Sequence, residues 1–324
     1  MSKQILKFSA TQIDTFLSCR KKYWYSRIMN IQPVERPEAL DLGSAVHKAL
    51  AYIFNAFRNE DSQKEIVRQY ALDQVNQYAE EYCMDVESKC KALALVDSYI
   101  DLYFDEDKSN FDVLDVEKYF ERALPDHPGC SICTHGYFDA IVRNKHDQKI
   151  YVLEHKTTGI MGQNYIDHSH FDTQVMIYMD ACKFKYGQCE GVIYDILSKP
   201  KHVMSRGETD EEFESRKEAS KTGRIKRKEA ETEDAFIKRM QASFREDTFS
   251  REMIVYDQKA LEQFTSELDG MLTDIHYCDC YYRCTGNCLK FGACPYMDLC
   301  AGKANIDNLG DKYINCDTGE VRNE

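Results

Sequence analysis

The hydrophobic pattern of the first third of the chain has the spacing of amphipathic helices. Within residues 9–28, apolar side chains recur at i, i+3 and i+4, and Thr11 with Asp14 forms a candidate capping pair. A second helix is predicted to begin after Gly43. The predicted helices that follow the first are residues 44–57, 62–82 and 87–104.

After residue 107 the pattern changes to the alternation typical of strands. Three segments are rich in β-branched and aromatic residues, and residues 144–148 supply turn chemistry between the last two. They predict a small antiparallel meander of 111–124, 134–144 and 149–157. Further along, the pattern predicts helices at 169–185, 229–247 and 258–275, and strands at 191–199 and 252–256.

Two acidic side chains of this meander are predicted to face each other. Side chains alternate along a strand, so Glu154 and Lys156 project from the same face of "IYVLEHKT". If residues 145–148 form a four-residue loop, paired residues have numbers that sum to 293, and Asp139 lies opposite Glu154. Like charges so placed destabilise a sheet, and a Mg²⁺ ion compensates for them.

A lysine beside two carboxylates and a cation favours metal-assisted hydrolysis of a phosphodiester. The ammonium of Lys156 can orient a water or offset negative charge that develops on a phosphate. From the hairpin alone, an exposed sheet face with a Glu–Lys ion pair is an equally ordinary interpretation.

Composition limits the setting of this chemistry. The chain has 324 residues with 43% hydrophobic content, which suits one large domain or two modest ones. No apolar run approaches the roughly 18 to 20 residues of a membrane span, and the start lacks the apolar core of a signal peptide. A cytoplasmic protein is therefore expected, and its 14 cysteines are expected to include metal ligands rather than a disulfide framework.

The net charge of −13 argues against a protein that coats nucleic acid through bulk charge. Two local segments remain candidates for phosphate contact. They are the basic-aromatic run 20–27 and the basic run 216–228. The composition of the second run also fits a solvated, flexible loop.

Four short motifs follow one another along the chain. They are G-x-x-x-H at "GSAVH" (43–47), G-x-x-D at "GYFD" (136–139), E-x-K at "EHK" (154–156) and Q-x-x-x-Y at "QVMIY" (174–178). With these motifs in this order, the chain resembles the RecB-like branch of the PD-(D/E)XK nuclease superfamily. The resemblance extends from "SATQIDTFLSCRKKYWY" to "CPYMDLC", and the chain is similar to CRISPR-associated and AddB-like enzymes of this branch.

The resemblance implies an α/β fold with a restriction-endonuclease-like core, in which a mixed central sheet is flanked by helices. It also implies roles for six residues. The implied metal ligands are His47, Asp139 and Glu154. The implied catalytic lysine is Lys156, and the motif implied to contact DNA consists of Gln174 and Tyr178. Phe138 stands where the superfamily's name has proline, and Glu154 where many relatives have Asp. Neither departure removes a ligand, so activity is expected.

Three C-terminal cysteines, Cys288, Cys294 and Cys300, have the regular spacing C-x5-C-x5-C. In iron–sulfur members of this nuclease family, a cysteine in the context of Cys19 completes such a set. The resemblance thus implies a [4Fe–4S] cluster with four thiolate ligands, which would join the first helix to the last segment. The usual version has a two-residue gap in its triplet, and this difference leaves Cys284 as an alternative to Cys288.

The predicted organisation is a single nuclease domain at 1–305 and a tail at 306–324. The domain is predicted to contain a helical insertion (44–106), a catalytic sheet core (111–199) and a charged insertion (205–250). A cysteine segment (278–300) is predicted to pair with Cys19.

The predicted function is a metal-dependent DNA nuclease that uses Mg²⁺ or Mn²⁺ and acts as an exonuclease in DNA recombination, repair or phage DNA processing. Its substrate would be DNA that is single-stranded or has free ends. No Walker-type motif is present, so unwinding would come from a recombination or helicase partner. A phage-encoded protein would work in the host cytoplasm. The alternatives are a non-catalytic DNA-end-binding or assembly protein with the same fold, and a zinc-binding regulator built on the cysteines.

Overall fold

The computed structural model describes residues 4–34, 38–124, 130–220, 225–245, 248–290, 292–307 and 309–316. The helices are α1 (Ala10–Ser18), α2 (Arg20–Tyr23), α3 (Glu38–Phe57), α4 (Lys64–Glu81), α5 (Val86–Asn110), α6 (Gln163–Ser169), α7 (Thr173–Tyr186), α8 (Asp210–Glu218), α9 (Glu233–Gln241), α10 (Gln258–His276) and α11 (Met297–Cys300). The strands are β1 (Gln4–Phe8), β2 (Ile31–Pro33), β3 (Phe111–Ala123), β4 (Cys130–Asn144), β5 (Ile150–Thr158), β6 (Gly191–Ser198), β7 (Phe249–Ile254) and β8 (Tyr313–Asn315).

Six strands form a mixed central sheet in the order β1-β4-β5-β6-β7, with β3 also paired to β4. β4 pairs antiparallel with β3 along one edge. Its other edge receives β5 at residues 140–143 and β1, in parallel, at residues 130–134. β5 and β6 run parallel because α6 and α7 connect them, while β7 returns antiparallel beside β6.

The hairpin register agrees with the sequence prediction. Ala140 pairs with Leu153 and Arg143 pairs with Ile150, so that paired numbers sum to 293. The predicted antiparallel meander β3-β4-β5 is therefore confirmed. β4 begins four residues earlier than predicted, at Cys130, and β5 is shifted by one residue, to Ile150–Thr158.

Helices cover both faces of the sheet, which gives three layers. Side chains of β5 alternate between the two apolar cores: Val152 packs with α1, α7 and α10, whereas Leu153 packs with α3, α4 and α5. Because both faces of β5 and β6 are covered, these strands are apolar almost throughout. The polar residues that remain on them therefore need a specific explanation.

The charged segment after β6 is partly packed against the helical layer. Phe236 and Met240 of α9 are buried against Cys90 and Ala94 of α5. The predicted helix 229–247 is thus shorter than expected and covers Glu233–Gln241. None of the helices in the described part of the chain combines the length and apolar character needed to cross a bilayer.

The two ends of the chain lie together. Strands β2 and β8 pair antiparallel, and the Tyr296 hydroxyl donates a hydrogen bond to the main-chain oxygen of Ile31 at 2.9 Å. Tyr25 stacks on Tyr296 with ring centroids 5.6 Å apart. Near the first helix, the main-chain N of Lys21 donates to the oxygen of Tyr282. The N-terminal and C-terminal segments therefore form a small third core.

Two predicted helices are interrupted in the structure. The first ends at Ser18, because Cys19 takes an extended conformation with φ −163° and ψ 107°, and its cap is Ser9 with Gln12 rather than Thr11 with Asp14. The second, predicted at 169–185, is interrupted in its first turn, because Asp172 caps a new helix start: α6 ends at Ser169 and α7 runs from Thr173 to Tyr186.

The helix predicted to begin after Gly43 begins earlier, at Glu38, so this glycine lies inside α3. A Cβ at Gly43 would lie 2.9 Å from Oγ1 of Thr157 on β5. Gly43 therefore serves close packing of the helix on the sheet, not the helix start that its position in the sequence suggested.

Candidate metal-dependent catalytic site

β4 and β5 separate at the point where the two predicted acids lie. Their ladder ends at the pair Ala140–Leu153, after which β5 continues along β6 alone. On that edge of β4, residues 135–139 have no strand partner among the described residues. Asp139 and Glu154 are the first residues beyond this last pair, so they lie where the two strands diverge. Their carboxylates are close enough for the charge of Asp139 to raise the pKa of Glu154. The main-chain N of His155 donates to Asp139 Oδ2 at 2.8 Å.

A hydrogen-bond network from α7 holds Glu154 and Lys156. Lys156 Nζ lies 2.9 Å from Glu154 Oε1 and donates to Gln174 Oε1 at 2.7 Å. The Gln174 amide nitrogen donates to Glu154 Oε1 at 2.8 Å and to the Tyr178 hydroxyl at 2.8 Å. Asp172 caps α7 by accepting from the main-chain N of Gln174, which fixes this helix turn beside β5. The E-x-K and Q-x-x-x-Y motifs are therefore one connected unit.

Aromatic packing places Tyr178 over the end of β4. The Phe138 ring lies 5.5 Å from the Tyr178 ring and 4.5 Å from the Phe120 ring, and Phe138 is fully buried. At Gly136, a Cβ would lie 3.2 Å from Phe120 and 3.3 Å from Tyr178. In the sequence "GYFD", Gly136 thus allows the rings of Phe120 and Tyr178 to approach the backbone, Phe138 packs in the core, and Asp139 supplies the carboxylate of the site. Phe138 fills a packing position that leaves Asp139 in place.

His47 reaches the site from the opposite layer. Its Nδ1 lies 3.4 Å from Asp139 Oδ2. The close contact of Gly43 with Thr157 brings α3 against β5 one turn before His47, which explains why the G-x-x-x-H spacing suits this position. The structure therefore brings all six residues of the predicted site together.

Charge coupling dominates the chemistry of these groups. Burial alone would raise the pKa of Asp139, but the neighbouring imidazoles of His47 and His155 hold it well below its usual value. Burial raises the pKa of Glu154 to about 7, and the Asp139 carboxylate contributes in the same direction. Burial opposes the charged form of Lys156, yet the Glu154 carboxylate raises its pKa above the usual value. The site therefore concentrates negative charge around a retained ammonium.

A third acid, Glu117 of β3, lies in the same site and was missed by the sequence analysis. Burial raises the pKa of Glu117 to about 7, with Asp139 adding to the shift and His47 opposing it. Its φ of 48° is in the left-handed region, which is uncommon for residues other than glycine and occurs often at functional sites. With Glu117 the site holds three carboxylates against His47 and Lys156.

The signal that would have identified Glu117 is the register between β3 and β4. Val116 pairs with Ala140 and Lys118 pairs with Phe138, which puts Glu117 opposite Asp139. That register is not readable from the sequence, because no turn of defined length is predicted between the two strands. A bulge also shifts the pairing near the start of β3.

These groups line an open cleft of about 600 Å³ between α3 and the sheet. His47, Glu117 and Asp139 lie at its acidic part, and Lys48 and Lys199 lie along its walls. A cleft with acids at its base and lysines on its walls suits a divalent cation together with an anionic substrate.

The donor set fits a divalent cation. Glu154 Oε2 is buried and has no hydrogen-bond partner among the described residues, whereas Oε1 is occupied by Lys156 and Gln174. A buried carboxylate oxygen without a partner is costly, and a bound cation removes that cost. Within the described ranges, no group of three or more His, Cys, Asp or Glu side chains has the positions needed to hold a metal ion. The unpartnered oxygen of Glu154 is therefore the observation that favours a cation here.

The predicted cluster cysteines also lie near one another. The main-chain N of Cys284 contacts Cys19 Sγ at 3.4 Å. Burial raises the pKa of the Cys300 thiol, and the thiols of Cys19, Cys294 and Cys288 raise it further. The four cysteines of the predicted set are thus electrostatic neighbours, but no three of the described cysteines have the positions needed to hold a metal ion. The alternative ligand Cys284 instead receives a contact from the Asn287 side chain at 3.5 Å.

The two basic segments differ in how their charges are used. Arg216 makes a two-pronged ion pair with Glu208, and Arg227 donates to the main-chain oxygen of the same residue, so part of the 216–228 run is neutralised internally. Residues 221–224 of that run lie outside the described residues. In the 20–27 run, the Arg20 guanidinium lies between the rings of Phe16 and Tyr282, at 4.9 and 5.1 Å.

A mixed sheet that brings two acids and a lysine together at a strand divergence defines the class of metal-dependent phosphodiester hydrolases. The chain belongs to the PD-(D/E)XK nuclease superfamily, because the family model matches residues 7–301. Proteins of this superfamily are typically nucleases that act on DNA and usually use Mg²⁺ or Mn²⁺.

Other comparisons add little. No curated protein sequence matches this chain. Among solved structures, the crystal structure of SSO0001 is similar at 16% sequence identity, with a TM-score of 0.27, over 64% of this chain and 82% of that chain. A likeness at that TM-score carries no structural argument.

Proposed function

We propose that this protein is a metal-dependent deoxyribonuclease that degrades DNA from its ends in recombination, repair or phage DNA processing. The observation that carries the proposal is the arrangement around Glu154. One carboxylate oxygen is held by Lys156 and Gln174, and the other is buried without a partner in a side chain whose pKa the Asp139 carboxylate raises. A surface ion pair would need neither the burial nor the unpaired oxygen.

In this proposal His47, Asp139 and Glu154 hold a Mg²⁺ or Mn²⁺ ion. When bound, such an ion supplies Lewis-acid activation of a water and of the scissile phosphate. Lys156 is held at 2.7 Å by the Gln174 side-chain oxygen, so its ammonium keeps a fixed position beside Glu154. From there it can orient the attacking water and offset the negative charge that develops on the phosphate.

Gln174 and Tyr178 position the lysine and close one wall of the site. The amide of Gln174 contacts the carboxylate, the ammonium and the Tyr178 hydroxyl at once, so rotation of any of these groups would break at least one hydrogen bond. Burial raises the pKa of Tyr178, and Glu154 and Asp139 reinforce the shift, so its hydroxyl stays protonated as a donor toward a phosphate.

The direct test uses the anaerobically purified chain with Mn²⁺ and three end-labelled substrates: linear single strands, linear duplexes and closed circles. We expect degradation of the linear DNA and no cutting of the circles. Asp139→Asn removes the charge of a proposed ligand with little change in shape, and cleavage should fall by at least about 10³-fold.

The matched control for this variant is Asp112→Asn, because Asp112 is an exposed carboxylate on β3 that pairs with Lys145 at 3.7 Å. It should leave cleavage unchanged. Cleavage of normal rate by Asp139→Asn would contradict the proposed site. Binding of DNA ends by the wild-type chain without any cleavage would instead favour the non-catalytic end-binding function.

We further propose that Cys19, Cys288, Cys294 and Cys300 hold a [4Fe–4S] cluster. Support comes from the proximity of the four thiols around Cys300 and from the match of a four-thiolate set to the usual ligands of such clusters. The 3.4 Å contact at Cys19 also brings residues of the first and last segments together.

Metal analysis separates the cluster from a zinc site. The anaerobic protein should be brown, absorb broadly near roughly 400 nm and contain about four iron atoms per chain. A colourless protein with stoichiometric zinc would contradict the cluster and favour the zinc-binding regulator. The proposed setting is the cytoplasm, where a separate helicase or recombination protein would supply single strands or ends.

A further inference from the structure

Behind the proposed cation site lies a buried network of charged and polar side chains that the proposed mechanism does not use. It joins α5, β6 and β7 and consists of Tyr99, Asp107, Asp195 and Arg251, which we call the buried network. The two carboxylates and the Tyr99 ring are almost fully buried. Charged groups are rarely placed so deep unless they are paired, so the location of this network calls for an explanation.

Hydrogen bonds within the buried network are short and numerous. Arg251 Nε donates to Asp195 Oδ1 at 2.5 Å and its Nη1 donates to Asp107 Oδ1 at 2.5 Å. The Tyr99 hydroxyl donates to Asp195 Oδ2 at 2.7 Å. One guanidinium therefore serves two carboxylates, and the buried network carries one excess negative charge when both are ionised. A further donor beside Asp195 would offset that excess.

His155 is the residue in that position. Its side chain is buried, and its Nε2 lies 3.8 Å from Asp195 Oδ2 with no hydrogen-bond partner among the described residues. On the other side of the ring, Nδ1 lies 3.5 Å from Asp139 Oδ2. The imidazole thus stands between a proposed cation ligand and the buried network. It is the middle residue of the E-x-K motif, whose flanking residues face the other way.

Aromatic rings hold the imidazole in this orientation. The Phe54 ring lies 5.4 Å from it, the Tyr99 ring 5.9 Å and the His47 ring 6.1 Å, all measured between centroids. These rings come from α3 and α5, so both helices of the opposite layer limit the rotation of His155. A side chain fixed on all sides can hold its neighbours fixed in turn.

The contacts of Asp139 all use the same oxygen. The main-chain N of His155 at 2.8 Å, the ring Nδ1 of His155 at 3.5 Å and Nδ1 of His47 at 3.4 Å each approach Oδ2. This arrangement fixes the rotation of the carboxylate and leaves Oδ1 as the oxygen that can bind a cation. His155 supplies two of the three contacts.

We infer that His155 is a positioning residue: held by the surrounding aromatic rings, it contacts Oδ2 of Asp139 and so sets the direction of that carboxylate toward the catalytic cation. The inference rests on the proposed metal site. It does not make His155 a ligand or a group that touches substrate.

The test measures Mn²⁺ affinity of the full chain without DNA, by electron paramagnetic resonance of the free ion, together with the melting temperature. His155→Phe keeps a ring among Phe54 and Tyr99 but removes both nitrogens. Loss of such a supporting partner typically costs 10- to 100-fold in metal affinity, so we expect the Mn²⁺ affinity to fall by at least about 10-fold.

Two shorter polar variants separate positioning from general packing. The side-chain nitrogen of His155→Asn can take the place of Nδ1 near Asp139, whereas that of His155→Gln takes the place of Nε2 near Asp195. We expect the Asn variant to regain most of the Mn²⁺ affinity and the Gln variant to regain little, at similar melting temperatures. These two variants also provide the test if the Phe variant does not fold. The exposed turn residue His146 gives the matched control, His146→Phe, which should bind Mn²⁺ as the wild type does.

Two outcomes overturn the inference. If His155→Phe binds Mn²⁺ within about twofold of the wild type, or if the Gln variant matches the Asn variant, His155 does not position Asp139. In either case the metal site itself stands, because the wild-type chain binds Mn²⁺. If the wild-type chain binds no Mn²⁺, the proposed function and this inference fall together.

Discussion

The acid site and the cysteine segment are both assembled from distant parts of the chain, but they are held together differently. The acid site lies on paired strands and is fixed by the direct network of Glu154, Lys156 and Gln174. The ends of the chain meet through a three-residue strand pair and one stacked tyrosine pair, with Cys19 beside the Cys284 main chain. One region lies on the central sheet, whereas the other has only a small core of its own beside its thiols.

This difference indicates which of the two regions needs its cofactor to keep its structure. Apolar packing holds the central sheet and its two cores, and none of the proposed cation ligands belongs to those cores, so a catalytic ion would bind a site that is already built. The free energy of ligand binding at the cysteines would instead contribute directly to the joining of the two ends. Loss of the catalytic ion should therefore leave the fold intact, and loss of a cluster should not.

The largest expected effect is on activity at the acid site. Lys156→Met removes the ammonium and keeps most of the length of the side chain. Cleavage of linear DNA should fall by about 10³-fold or more, because the charge that develops on the phosphate is no longer offset. Iron content and melting temperature should change little. Lys149→Met, an exposed lysine paired with Glu190, is the control, and a drop in iron content for Lys156→Met would show that the two regions are not independent.

The next largest effect is on stability at the ends. Cys294→Ser should abolish the iron signal, lower the melting temperature by about 5 °C or more and make the C-terminal segment sensitive to protease. Mn²⁺ affinity at the acid site should remain. Cys83→Ser, at an exposed free cysteine after α4, serves as control. Unchanged stability and proteolysis in Cys294→Ser would mean that β2, β8 and the tyrosine stack suffice to hold the ends.

A smaller effect tests how precisely the scaffold sets the acid site. In Gly43→Ala the new Cβ would meet Thr157 Oγ1 at 2.9 Å, so α3 should shift and carry His47 away from Asp139. Cleavage should fall by about 10-fold. The melting temperature should change little, because alanine favours a helix over glycine by about 1 kcal/mol and offsets the strain.

A double variant sharpens this test. Thr157→Ala removes the atom that the new Cβ meets, so Gly43→Ala with Thr157→Ala should recover most of the cleavage. Gly159→Ala is the control, since a Cβ there has no neighbour within 4 Å. If the double variant is no better than Gly43→Ala, steric pressure on α3 is not the cause.

Local pattern predicted the hairpin and its acids. The alternation along β4 and β5 and the length of their turn are properties of adjacent residues, so the register of Ala140 with Leu153 followed from them. The helix boundaries were less accurate, because capping depends on particular contacts: Ser9 and Gln12 cap α1, and Cys19 ends it. The positions of His47 and Gln174 near the acids were expected from the family resemblance, not from local pattern.

By itself, then, the sequence determined the elements whose spacing is local: the meander, the run of helices before it, and the neighbouring positions of Asp139 and Glu154 just beyond the paired residues of β4 and β5. Only the tertiary structure decided that Glu117 joins them, that Gly43 lies inside α3 against Thr157, and that His155 stands before the buried network. The physical reason is range. Periodicity reports which face of an element is apolar, but contacts between elements far apart in the chain depend on packing and register, which no short stretch of residues encodes.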